Sequence, residues 1–267
     1  MEKEKGGYLR LRQICLVAHD LDTTEKQIAD VLGLEICYRD TGVAKYGLRN
    51  ALFAAGGTFL EIVSPTRPDT AGGRYLERRK GDGGYMYIVD CDDLERRREH
   101  FKKLGVRLVQ DLKSGDDVST SEAIHLHPRD TGGCLLSVDR HSGGADMMGG
   151  YHWAGPSWQE HDRSHTVRAI TGARMQCADP QAVAQRWSEL LERPLLRDGD
   201  VWTMELDNAR ARFSPLEDDR GEGLSAVRLA VKDKPAILNA AKKAGAKTGH
   251  VAAGDYVELV GVRFVLV

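Results

Sequence analysis

Apolar and polar positions alternate between two periods along this chain, and the alternation recurs. Residues 11–35 read LRQICLVAHDLDTTEKQIADVLGLE, after Leu9 and Arg10. An apolar strand comes first. The spacing then turns helical: Asp22 offers an N-cap with Glu25 three residues on, Ile28, Val31 and Leu32 share one face, and Gly33 suits the helix end. Two strands are predicted next, at about 43–54 and 58–63, split by Ala55-Gly56-Gly57. The unit is one strand, one helix, then several strands.

The unit returns. Residues 84–109 repeat the strand, an Asp cap, a helix with Leu94, Phe101 and Leu104 inward, and Gly105 at its end. EAIHLHP and GGCLLSVD then parallel RNALFAA and GTFLEIVS. A third copy carries Asp179 as cap, Pro180 at the first helical position, and Val183, Trp187, Leu190 and Leu191 as a stripe. A fourth runs from LSAVRLAVKDKPAILNAAKKAGAK to YVELVGVRFVLV. Between the second and third copies, residues 141–165 are rich in Gly and His and without period, which marks a linker. The expected organisation is a first domain over 8–140 (units 8–66 and 83–140), a linker over 141–164, and a second domain over 165–267 (units 165–216 and 222–267). Each pair of units should curl into one cup.

Composition narrows the function classes. The net charge of −2 over 267 residues gives no electrostatic reason for nucleic acid or an anionic membrane surface. The five cysteines form no CxxC pair and sit mostly in apolar runs, so they are read as reduced core residues. No apolar run is long enough to span a bilayer, and a cytoplasmic location is expected. Walker, GxSxG and HExxH signatures are missing.

One residue breaks the pattern. Phe59-Leu60-Glu61-Ile62-Val63 places a carboxylate inside a core strand. A buried, unpaired carboxylate costs several kcal/mol, so Glu61 should have a partner or a task.

The four units resemble the βαβββ modules of the vicinal oxygen chelate superfamily, the glyoxalase and bleomycin-resistance-like proteins. The first strand followed by Asp-Leu-Asp, the segment GTFLEIVSP, and HPRDTGGCLLSVD carry the resemblance. It implies an α+β fold of four modules pairing into two cup-shaped glyoxalase-like domains, the second degenerate. In metal-using members, two facing modules each give one ligand from the first strand and one from the last. Those positions fall on Gln13 and Glu61 in module one, but on Met86 and Ser137 in module two. Modules three and four offer Gly172 and Ala211, then Ala226 and Val265. Of these family positions only Gln13 and Glu61 qualify as metal ligands; a divalent metal completed by His125 and His127 stays open, and the metal-free state is the preferred reading.

Other side chains can complete the site. His125 and His127 stand two apart on one strand, which places both on one face. Arg49 or Asn50 can reach into the cup, where either would bind a carbonyl or carboxylate of a ligand. Tyr151, Trp153 and Trp158 of the linker can close a pocket as a lid. The runs Arg96-Arg97-Arg98 and Lys102-Lys103 read as a solvated helix face. The favoured function is a glyoxalase-like lyase or isomerase moving a proton next to a carbonyl or acting at an electrophilic centre. Glu61 and His125 are its acid/base candidates, and Gln13, Asn50, Phe59, Met86, Ile88 and Trp153 its ligand contacts. The alternative is a metal-free binding or sequestering protein of the bleomycin-resistance type. The expected partner is a small molecule, with neither nucleic acid nor membrane, and a homodimer is compatible with the pattern.

Overall fold

The computed structural model describes residues 7–115 and 120–267. Module one holds β1 (Leu9–Val17), α1 (Leu21–Leu32), β2 (Ile36–Tyr38), β3 (Leu48–Ala55) and β4 (Thr58–Pro65). After α2 (Ala71–Arg79), module two holds β5 (Gly83–Cys91), α3 (Leu94–Lys103), β6 (Leu108–Gly115), β7 (Thr120–Leu126), the short α4 (Pro128–Thr131) and β8 (Leu135–His141). Module three holds β9 (Val167–Cys177), α5 (Pro180–Leu191), β10 (Leu195–Asp198), β11 (Val201–Glu205) and β12 (Arg210–Pro215). Module four holds β13 (Gly223–Val231), α6 (Lys234–Lys243), β14 (Thr248–Val251), β15 (Gly254–Leu259) and β16 (Val262–Leu266).

Local chemistry accounts for most boundaries. The cap of α1 is Asp20, two residues earlier than Asp22, and its carboxylate accepts from the Asp22 and Thr23 amides. Gly33 closes that helix in the left-handed region, at φ 66°. The strand expected from residue 43 begins only at Leu48, because Asp40 caps a 3₁₀ turn over Thr41–Tyr46.

Two eight-stranded sheets result. The first runs β2-β3-β4-β1-β5-β8-β7-β6, and the second runs β10-β11-β12-β9-β13-β16-β15-β14. In each, the first strands of two modules meet antiparallel at the centre, and each pairs in parallel with the last strand of its own module. This is the α+β architecture of two cup-shaped glyoxalase-like domains. Leu9, Leu11, Ile14, Tyr87 and Val89 of the first sheet share one core with Met175, Phe213, Val227 and Phe264 of the second. The cups therefore face outward on opposite sides of that core.

Two bulges between β1 and β5 shape the centre of the first cup. Leu11 pairs with Val89 and Gln13 with Ile88, so Arg12 is an extra residue on β1. Arg12 and Gln13 then turn to the same, concave face. Tyr85 is likewise the extra residue of β5, between the Leu16–Gly84 and Cys15–Met86 pairs. Before the first bulge β1 has left β4, and a loop of the second domain takes the freed backbone. The Asn208 amide accepts from Leu11 N and donates to Leu11 O, both at 2.9 Å, and Asp207 Oδ2 accepts from Leu9 N at 2.8 Å.

Side chains lock the halves further. Trp187 meets Tyr87 and Phe213 edge-on, at 5.4 and 5.3 Å between centroids. Arg79 is buried and donates to the carbonyls of Arg220, Gly221 and Glu222 at 2.6–3.0 Å. Arg97 departs from the expected solvated face: it is buried and donates to Leu191 O at 2.9 Å. No helix among the described residues is long and apolar enough to cross a membrane.

Candidate active site

Period two sorts the strands of the first sheet. On β4, Leu60 and Ile62 enter the shared core, which turns Glu61 to the concave face. On β1 the same logic turns Gln13 and Cys15, on β3 Leu48, Asn50 and Leu52, and on β5 Met86 and Ile88. A cavity of about 440 Å³ opens there, with mainly apolar walls. Its size suits a small molecule.

Glu61 is a buried carboxylate of that cavity, 8% exposed, and Asp139, 1% exposed, is a second one. Asn50 Nδ2 donates to Oε1 at 2.6 Å, and Gln13 Nε2 donates to Oε2 at 2.8 Å. Tyr151, from the linker, donates its hydroxyl to Gln13 Oε1 at 2.7 Å. The chain Tyr151–Gln13–Glu61–Asn50 fixes the carboxylate in one orientation and offsets the cost of its burial. Burial still pushes the Glu61 carboxyl above its ordinary value, against the donors Asn50, Cys15 and Gln13. Such a group takes up a proton more readily than an exposed carboxylate.

Across the cup, His125 on β7 lines the same cavity. Burial lowers its pKa below the ordinary imidazole value, with nearby Lys45 adding to that and Asp139 opposing it. A neutral imidazole, able to donate one N–H, therefore prevails near neutrality. His127 does not join it. It caps α4, its Nδ1 accepting from Arg129 N at 3.2 Å. Trp153 lines the cavity and donates to Asp139 Oδ2 at 2.9 Å.

Phe59 takes a different place from the one expected. It lies outside the cavity wall, stacked on Tyr151 at 4.4 Å and edge-on to Trp158 at 4.9 Å, with all three rings buried. The linker is thus a plug packed into one end of the cup rather than a lid over it. Arg49 points outward and pairs with Asp22 at 2.9 Å. Three groups at the site carry no periodic signal. Tyr151 lies in the linker, Lys45 in the 3₁₀ turn, and the Tyr46–Gln110 bond of 2.8 Å spans two modules. Tyr151 was findable only as one of three linker aromatics.

The donor set does not suit a metal. Opposite Gln13 and Glu61 stand the Met86 thioether and Ser137, whose hydroxyl donates to Asp139. Among the described residues, no three His, Cys, Asp or Glu side chains gather as a chelating group.

In the second sheet the last-strand position of module three needs correction. Cys15 pairs with both Glu61 and Met86, and Arg174 pairs with both Arg212 and Ala226. Arg212 therefore holds the place of Glu61, while Ala211 belongs to the core. Gly172, Ala226 and Val265 offer no ligating side chain.

Comparison with known proteins agrees with this fold. The chain is 24% identical over 132 residues to the mitochondrial methylmalonyl-CoA epimerase of Mus musculus, which is 49% of this chain and 72% of that protein. Among solved structures, a hypothetical protein from Staphylococcus aureus superposes with a TM-score of 0.67 at 12% identity, covering 97% of this chain and 100% of its own. The Mn(II)-bound glyoxalase from Novosphingobium aromaticivorans superposes with a TM-score of 0.66 at 14% identity, covering 97% and 82%. At these identities the two structures show the shared fold. The model of the glyoxalase-like domain matches residues 14–191, and the chain belongs to that family.

Proposed function

We propose that the first cup is the active site of an enzyme that moves a proton next to a carbonyl, without a metal, on a small carbonyl compound. The observation that carries this reading is Glu61: a buried carboxylate of raised pKa, held by two amide donors and facing a cavity. Glu61 takes the proton from the carbon acid. His125 faces the same space as a neutral donor for the oxygen on which negative charge develops, and the nearby Lys45 adds a positive field. Gln13 and Asn50 aim the base, Tyr151 aims Gln13, and Met86 and Ile88 give the apolar wall.

The test is deuterium wash-in. The protein is incubated in D₂O with methylmalonyl-CoA, chosen for the likeness to the epimerases, and with a panel of α-hydroxy and dicarbonyl compounds. Exchange at the carbon next to the carbonyl, lost in Glu61→Gln, supports the reading. Exchange that survives in that variant overturns it.

A second reading has its own observation. Both Glu61 oxygens already accept hydrogen bonds from fixed amides, which also suits a specificity contact in a binding protein. Saturable binding of a panel compound with no exchange at any pH favours that reading.

A further inference from the structure

The second sheet presents arginine where the first presents its site. Register equates the two halves. Arg174 takes the place of Cys15, Arg212 that of Glu61, and Arg263 that of Leu135, since Ala226 pairs with Arg263 as Met86 pairs with Leu135. In the next row, Gly172 lies between Arg210 and Arg228, as Gln13 lies between Phe59 and Ile88. Their strand neighbours Ala211, Phe213, Val227 and Phe264 enter the shared core. Five guanidinium groups therefore face the concave side of four adjacent strands.

Acidic partners are too few. Glu217 is shared between Arg174 at 2.6 Å and Arg263 at 2.7 Å, and Glu205 pairs with Arg210 at 3.0 Å. Glu258, beside Arg263 in register, is taken by Lys247 at 3.4 Å. Among the described residues, the side chains of Arg212 and Arg228 have neither an ion pair nor a hydrogen bond, and the Nε atoms of Arg174, Arg212 and Arg228 are buried without a partner. Burial also works against the charged forms of Arg174 and Arg228. A guanidinium does not shed its proton at working pH, so a bound anion would relieve the repulsion.

The shape of the cluster selects the anion. A planar carboxylate satisfies one guanidinium fork. A tetrahedral phosphoryl group offers oxygens in several directions and suits forks arriving from several strands. A concave face of one sheet in a chain of net charge −2 does not suit a nucleic-acid backbone. We infer that the second cup binds a small molecule carrying a phosphate ester or diphosphate, gripped by Arg212 and Arg228 with Arg174 and Arg263 on its flank. The inference does not rest on the role of Glu61.

Inorganic diphosphate tests it, on the full chain at low ionic strength, by titration calorimetry and thermal unfolding. Saturable binding is expected, with a melting temperature that climbs as diphosphate is added. Arg212→Gln and Arg228→Gln should each weaken binding about tenfold or more, the scale of one lost charge-assisted pair. Arg212→Lys, which keeps the charge and loses the fork, should fall between. The glutamine variants remove like charges, so they should fold, and circular dichroism checks that. Four results overturn the inference: no saturable binding, equal stabilisation by sodium chloride at matched ionic strength, unchanged binding in both glutamine variants, or succinate binding as tightly as diphosphate.

Discussion

Asn50 Nδ2 lies 2.6 Å from Glu61 Oε1, and both residues are buried on adjacent strands of the first cup. The contact sets what Glu61 can be. With Gln13 on the other oxygen at 2.8 Å, the carboxylate is aimed without being neutralised. No arginine or lysine pairs with it among the described residues. A base that must both ionise and accept a proton near neutrality needs that combination of burial, orientation and absent counter-charge.

Replacing Glu61 should separate chemistry from fold. Glu61→Gln keeps volume and should lower kcat/KM by about 10²–10⁴-fold, the usual worth of a positioned base. Glu61→Ala strands the Asn50 and Gln13 amides in a buried place, so it should also cost about 1–3 kcal/mol of stability. Steady-state kinetics beside urea denaturation of both variants checks this, and full activity in either one refutes the role.

The pH dependence has a definite sign. The Glu61 carboxyl has a folded pKa above its ordinary 4.5. The stability it contributes is whole below about 4.5 and is lost as pH rises through the folded value. The unfolding free energy of the wild type relative to Glu61→Gln should therefore decline above that point and then level off. Activity should rise through the same interval, as the base ionises. His125 has its pKa lowered from 6.5, so no limb due to it should appear near that pH. Denaturation and kcat/KM profiles measured from pH 4 to 9 decide both.

In the proposed mechanism Tyr151 acts through Gln13. Tyr151→Phe keeps the stack on Phe59 but removes the 2.7 Å bond to Gln13 Oε1. The expected losses are about 1 kcal/mol of stability and a fall in kcat larger than any rise in KM, because the aim of the base is disturbed. An equal effect of Tyr151→Phe in the Glu61→Gln background would show that its part is structural only.

Arg79 tests the seam between the halves. Its guanidinium satisfies three backbone carbonyls of residues 220–222. Arg79→Ala should cost about 3 kcal/mol, since a buried network loses its donor. The urea midpoint reads this directly, and an unchanged midpoint shows that water replaces the donor at no cost.

Much of this was legible in the chain. Each module announces itself by a strand, an Asp cap and a helical stripe, and Glu61 stood out as a charge in an apolar strand. Gln13, Asn50, Met86 and Ile88 reach the cavity because period two leaves one face of each strand to the cup. The misses have physical causes. Phe59 has the right parity, yet linker rings from about ninety residues away cover it. Ala211 was one residue off, and in a strand one residue exchanges the faces. Arg97 read as solvated because a helix shows its outward side to the sequence, not the neighbour that covers it.

The sequence by itself determined the modules, their order and the carboxylate in a hydrophobic strand, because periodicity and caps are local. Only the tertiary structure decided which oxygens Glu61 lends to which donors, that the linker plugs the cup, and that five arginines crowd the other one. Those facts depend on bulges and on contacts between distant segments, where a shift of one position reverses what a side chain meets.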